Sequence, residues 1–215
     1  MDDELHRRLH WRNPRTVIGL TGGIASGKST VSAYLKELGI PVFDADAAGH
    51  QVEAAGSPTL RQLQEAFGLG ILTPAGELNR GKLADLAFHD PKALTTLNTI
   101  VHRAIAQKRD AFLRQYAAAP VAVLDVPLLL ETGWDRLTDQ VWLVVLDREQ
   151  QIQRAMLRSG MTRQEVIDRI DRQLPVEEKK KRAQVILENS GTREDLYAQT
   201  RAALEKVLAQ QKAQR

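Results

Sequence analysis

One run near the amino end constrains this chain more than anything else in it: Gly22-Gly23-Ile24-Ala25-Ser26-Gly27-Lys28-Ser29 fits the pattern G-x-x-x-x-G-K-[ST]. The run has the flanks that its chemistry needs. Thr16–Thr21, TVIGLT, is a β-branched and aliphatic stretch of strand type, and from Lys28 onward Val31, Tyr34, Leu35 and Leu38 fall on one helical face that stops at Gly39. Strand, glycine loop and helix in that order make a phosphate cradle. Backbone N–H groups converge on phosphate oxygens, the helix N-terminus adds its positive dipole, Lys28 reaches the outer phosphates and Ser29 offers a hydroxyl to Mg²⁺.

The rest of the chain reads as one α/β unit with helical excursions. Its 215 residues, 43% hydrophobic and without cysteine, are enough to bury a core without disulfides, and they exclude a zinc-thiolate cluster and a thiol nucleophile. A cytoplasmic location is the expectation that goes with this cysteine usage. No apolar stretch approaches the roughly 18 residues of a membrane span, and a net charge of +3 gives no case for nucleic acid as a partner. Further apolar strands are expected at Ile40–Phe43, Val121–Leu124, Val141–Leu146 and Val185–Leu187. Each is too continuously apolar for a half-exposed antiparallel strand, and helical sequence separates them. They therefore imply a five-stranded parallel sheet in a three-layer α/β/α arrangement.

Two excursions interrupt this pattern. Residues 45–120 form a helical insertion, with helix starts at Ser57-Pro58, Asn79-Arg80 and Asp90-Pro91, and with Leu94, Leu97, Val101, Ile105 and Phe112 as a core stripe. Residues 148–182 form a polar helical cover or lid: one helix ends at Gly160, Thr162 and Glu165 make a capping box, and Pro175 precedes the EEKKKR run, whose Lys179–Arg182 portion is expected to be a solvated face. Core segments 16–44, 121–147 and 183–215 complete the domain, preceded by an extension over residues 1–15.

Two acidic positions matter for chemistry. Asp125 ends the third strand, where a carboxylate can hold Mg²⁺ directly or through water, or serve as a turn cap. Asp44 and Asp46 follow the second strand; Asp44 is assigned the cap of the next helix and Asp46 the role of general base toward an alcohol, worth about 10² to 10⁴ in rate. Neither an N-K-x-D segment nor an L-S-G-G-Q signature occurs, so regulatory GTPases and transport ATPases lose ground.

The order of further segments resembles the dephospho-coenzyme A kinase family over Ile18–Leu196: GLTGGIASGKST at 19–30, FDAD at 43–46, AAGSP at 54–58, LNRGKLADLAF at 78–88, LNTIVH at 97–102, DVPLLLE at 125–131, QIQRAMLR at 151–158 and NSG at 189–191. The resemblance implies ATP-dependent phosphorylation of the ribose 3′-hydroxyl of dephospho-CoA, with Mg²⁺. It implies that Gly22, Gly23, Ala25, Ser26, Gly27, Lys28, Ser29 and Thr30 cradle the phosphates and that Asp46 is the base. His50, Arg80, Asn98 and His102 are candidate acceptor contacts, with Leu128, Leu129 and Leu130 on a nearby wall. Asn98 and His102, one turn apart, are equally readable as a surface pair. Arg154 and Arg158, four apart on one face, match arginines of the family's lid; Arg154 is the candidate catalytic arginine and Arg158 an ATP contact or a solvated charge. Gln173 and Asn189 are placed near the adenine.

The chain departs from the family's usual pattern at Ala55, Arg103 and Gln184. Two other readings compete: a related kinase acting on a nucleoside monophosphate or a sugar acid, and a noncatalytic nucleotide-dependent protein that uses its basic amino end on RNA.

Overall fold

Five strands form the sheet: β1 (Thr16–Gly22), β2 (Val42–Asp44), β3 (Val121–Asp125), β4 (Gln140–Val145) and β5 (Val185–Glu188). They appear in a computed structural model that describes residues 16–213, so the expectation for residues 1–15 lies outside the described residues. The sheet order is β2-β3-β1-β4-β5, with β1 in the middle. The pairings of β1 with β3 and β4, and of β4 with β5, are parallel. The continuous apolar runs have the expected cause, since β3 is buried along its whole length and β1 along all but its first residue.

Nine helices are described: α1 (Lys28–Glu37), α2 (Ala45–Val52), α3 (Pro58–Phe67), α4 (Arg80–His89), α5 (Pro91–Gln115), α6 (Arg148–Ser159), α7 (Arg163–Asp171), α8 (Val176–Arg182) and α9 (Arg193–Ala213). Their starts follow the sequence signals. Ser57, Asn79 and Asp147 side chains accept from backbone N–H groups in the first turns of α3, α4 and α6. Thr162 and Glu165 form a reciprocal capping box on α7. Hydrogen bonds from Thr162 hold the Glu165 carboxyl below its ordinary range, so the box is strongest in the ionised form.

Contacts divide the described chain into two units, one running to Phe43 and resuming at Tyr116, the other Asp44–Gln115. In the first unit, Ile18, Leu20, Val123, Trp142 and Val144 of the sheet pack with Val31 and Leu35 of α1 and with Leu196, Leu204 and Val207 of α9. Tyr34 of α1 stacks on Tyr197 of α9 with ring centroids 4.0 Å apart, and Arg201 Nε donates to the Tyr34 hydroxyl at 3.0 Å. Gln184 completes the sheet ahead of β5: its backbone N–H donates to the Val141 carbonyl, and its side-chain oxygen accepts from the Val141 N–H at 2.7 Å. This departure from the family's usual residue therefore has a local function. In the second unit, Leu63, Ile71 and Leu83 form a core joined by Leu97 and Val101 of α5.

Three expectations are corrected. β2 is shorter than expected and begins at Val42, because Pro41 lacks an N–H; its carbonyl still accepts from Val123. Leu94 is 45% exposed, since the stripe on α5 meets the apolar cluster only from Leu97 onward. Lys179 is not on a solvated face: it is 2% exposed and its Nζ lies 2.7 Å from Glu131 Oε1. A helix packed on β4 must turn one side inward, and in α8 that side carries a lysine. Its neighbours do face solvent, where Lys180 and Lys181 pair with Glu177 and Glu178 one turn back.

Candidate active site

The sheet register sets up the site in the first unit. Leu20 of β1 lies beside Asp125 of β3, and Gly22 beside Val144 of β4, so β1 runs on past Asp125 into the glycine loop. The Val126 N–H donates to the Leu20 carbonyl at 3.0 Å, and the Thr21 hydroxyl donates to the Pro127 carbonyl at 2.9 Å. These two bonds fix the segment after β3 against the start of the loop. Lys28, in the first turn of α1, hydrogen-bonds to Asp125 Oδ1. Asp125 is 3% exposed, a depth at which a carboxylate needs a counter-charge. Lys28 of the loop supplies that counter-charge.

The loop backbone has an unusual shape. Ala25 has φ of 55° and Gly27 of 100°, both in the left-handed region. Gly27 is required twice over, since a Cβ there would stand 2.1 Å from Asn189 Nδ2. Asn189, just after β5, donates that Nδ2 to the Ser26 carbonyl at 2.8 Å, and Arg154 Nη2 donates to the Asn189 carbonyl over 3.4 Å. Asn189 thus supports the loop from outside, a role its sequence position beyond the last strand did not disclose. Ser26 is buried and its Oγ has no hydrogen-bond partner among the described residues. Ser29 and Thr30 lie in the first turn of α1, with Ser29 exposed.

Beside Gly23 and Ser26 opens a cavity of about 450 Å³, bordered also by Leu143–Leu146, Gln151, Gln173 and Leu174. Gln151 and Gln173 both face Gly23, whose missing Cβ leaves room for the Gln151 amide. Glu131 ties down the chain ahead of α8, part of which borders this cavity. It accepts from the Leu174 N–H at 3.0 Å and pairs with Lys179. Burial pushes the Glu131 carboxyl up, but the bonds from Lys179 and from backbone N–H groups outweigh it and hold the group below its ordinary range.

Of the apolar wall expected after β3, Leu128 is 41% exposed while Leu129 and Leu130 are buried. Leu129 belongs to the core: it fills the space left by Gly19, where a Cβ would come 2.6 Å from Leu129 Cδ2. Arg158 is exposed on α6.

The second unit carries the other candidates. Asp44 accepts from the Ala47 N–H at 2.9 Å and so caps α2, as expected. Asp46 is exposed in the first turn of that helix and His50 is exposed in its last. Lys108 of α5 donates to Gln51 of α2 at 3.0 Å, which joins these two helices next to His50. Asn98 and His102 are exposed one turn apart on α5. Arg80 pairs with Glu53 at 3.0 Å, which orients its guanidinium at the start of α4.

A parallel sheet with β1 central, a glycine loop running into α1 and a loop lysine on the acid that ends β3 define a P-loop protein of the three-layer α/β class. Comparison with known proteins narrows this. The family model described as dephospho-CoA kinase matches residues 16–195. A dephospho-CoA kinase of Geobacillus kaustophilus is 46% identical over 87% of this chain and 94% of its own length. One from Symbiobacterium thermophilum is 44% identical over 87% of this chain and 79% of its own length. The crystal structure of TT1252 from Thermus thermophilus superposes with a TM-score of 0.78 at 39% identity, covering 92% of this chain and 98% of that one. The chain belongs to the dephospho-CoA kinase family.

Proposed function

We propose that this protein transfers the γ-phosphoryl group of ATP to the ribose 3′-hydroxyl of dephospho-CoA, giving coenzyme A and ADP. The observation that carries the reading is the loop itself, with Lys28 held by Asp125 within a chain that matches this family from β1 to α9. The loop N–H groups and Lys28 bind the phosphates, and Arg154 adds a guanidinium for the charge that spreads over the transferring group. Asp46 takes the proton of the acceptor hydroxyl; its support is an exposed carboxylate two residues beyond β2, next to an Asp44 already committed to capping. His50, Arg80, Asn98 and His102 of Asp44–Gln115 bind the acceptor, Leu128 is a further acceptor contact, and residues 148–182 act as the lid. Gly22, Gly23, Ala25, Ser26, Gly27, Ser29, Thr30, Arg158 and Asn189 complete the nucleotide contacts.

The residues present fit Mg²⁺. Ser29 and Asp125 are hard oxygen donors, and this ion is usually held by one or two protein groups together with substrate phosphates. No group of three histidine or acidic side chains that could hold a metal ion by itself occurs among the described residues. When bound, it neutralises phosphate charge. No described helix is long and apolar enough to cross a membrane.

The deciding assay is ADP release with dephospho-CoA, set against AMP, CMP and gluconate. Stimulation by dephospho-CoA alone is expected. Equal or greater stimulation by any of the others assigns a different acceptor, and no stimulation by any, together with salt-dependent RNA binding, would favour the noncatalytic reading.

A further inference from the structure

Gln151 is the first residue of the QIQRAMLR run on α6, and the reading above gives it no role. Its Nε2 donates to the Ile24 carbonyl, in the glycine loop, at 2.7 Å. The same amide lies over Gly23, where a Cβ would come within 2.5 Å of it. Next to this bond Ile24 and Ala25 pack into the apolar cluster of Ile152, Ala155 and Val166. One side of α6 therefore grips the tip of the loop by a hydrogen bond and by apolar contact together.

The peptide geometry gives the bond its consequence. Ile24 C=O and Ala25 N–H belong to one peptide, and among the described residues no peptide is cis. In a trans peptide the carbonyl and the N–H point in opposite directions. A donor that pulls the Ile24 carbonyl toward α6 therefore turns the Ala25 N–H away from it. Asn189 does the same for the next peptide but one, drawing the Ser26 carbonyl toward itself and turning the Gly27 N–H away. The intervening Ala25 sits at φ 55°, a conformation that an alanine adopts only at a cost. The loop shape needs outside support, and Gln151 and Asn189 supply it on either side of that residue.

We propose that Gln151 is a positioning residue: by holding the Ile24 carbonyl it pre-sets the loop N–H groups for the phosphates and couples the loop to α6. This rests on the phosphate-loop reading. It differs from a base contact or a general packing role in what it requires of fragments. Gln151→Ala should weaken binding of ATP and of inorganic tripolyphosphate by the same factor, about 3- to 10-fold, the reach of one net hydrogen bond. Adenosine binding and the KM for dephospho-CoA should stay near wild type, and the melting temperature should fall by only a few degrees, about 2–4 °C for each kcal/mol. Gln151→Glu keeps the length but has no donor, and should lose at least as much.

Binding is read by calorimetry, with Lys28→Met as reference. Wild-type affinity for both ATP and tripolyphosphate in Gln151→Ala and Gln151→Glu overturns the proposal. A loss confined to ATP and adenosine overturns it by making Gln151 a base contact, and a loss spread over ATP, dephospho-CoA and thermal stability alike overturns it by making the role structural. Lys28→Met separates the two levels. If it binds tripolyphosphate as wild type does, the loop reading itself fails, whereas a loss there with no change in the Gln151 variants removes only this inference.

Discussion

Gly27→Ala puts the support of the loop to a quantitative test. Gly27 has φ of 100°, and a Cβ on it would stand 2.1 Å from Asn189 Nδ2 but 3.7 Å from Asn189 Cβ. Two costs follow. Placing an alanine in the left-handed region costs about 1–2 kcal/mol. Clearing the clash requires the Asn189 amide to swing off the buried Ser26 carbonyl, which loses a hydrogen bond and leaves an acceptor without a partner, about 1–3 kcal/mol. The sum is about 2–5 kcal/mol, which lowers the melting temperature of a chain this size by about 5–15 °C, and ATP affinity should fall with it.

A double-mutant cycle isolates the second cost. In an Asn189→Ala background no amide remains to be struck, the alanine Cβ is at ordinary van der Waals distance, and Ser26 has already lost its donor. Gly27→Ala should there cost only the conformational part, about 1–2 kcal/mol. Thermal melts of the four proteins measure the difference. Equal penalties in both backgrounds, agreeing within about 0.5 kcal/mol, would show that Asn189 does not brace this loop.

Two further outcomes are expected. Asp46→Asn should lower kcat by about 10² to 10⁴ while calorimetric ATP affinity stays within about twofold; undiminished turnover with dephospho-CoA would remove Asp46 as the base. The Glu131 carboxyl is held below its ordinary value of 4.5, so its contribution to stability is present above that value and is lost as pH falls through the lower folded-state value. Glu131→Gln should therefore be less stable at pH 7 by about 1–3 kcal/mol, because Lys179 loses its counter-charge, and should lose less on acidification than wild type. Parallel melting curves against pH for the two proteins would refute this.

Much of this molecule was legible in the sequence because its signals are local. The strands declared themselves by unbroken apolar runs, and Asp44, Ser57, Asn79 and Thr162 are caps whose partners lie three residues away. The glycine loop was readable for the same reason. What escaped depends on partners far along the chain. Gln151 meets Ile24 across 127 positions and Asn189 meets Ser26 across 163, and no spacing rule joins them. Lys179 was misread because a run of charges looks solvated, while its burial is decided by β4 and by Glu131. Leu129 and Leu130 were misread because three adjacent leucines do not say which one the sheet claims; Gly19, at the middle of β1, is the residue that admits Leu129.

The stacked tyrosines of α1 and α9 bear on how the protein comes into being. Tyr34 is synthesised before Tyr197, with β2, β3, β4 and β5 between them, so the helix that begins in the nucleotide loop waits for all of these before its outer side is covered. Messages cut short before α9 would yield polypeptides bearing an intact loop motif without the helix that covers Tyr34. Such fragments would differ from the finished fold by an outer face of α1 left open to solvent.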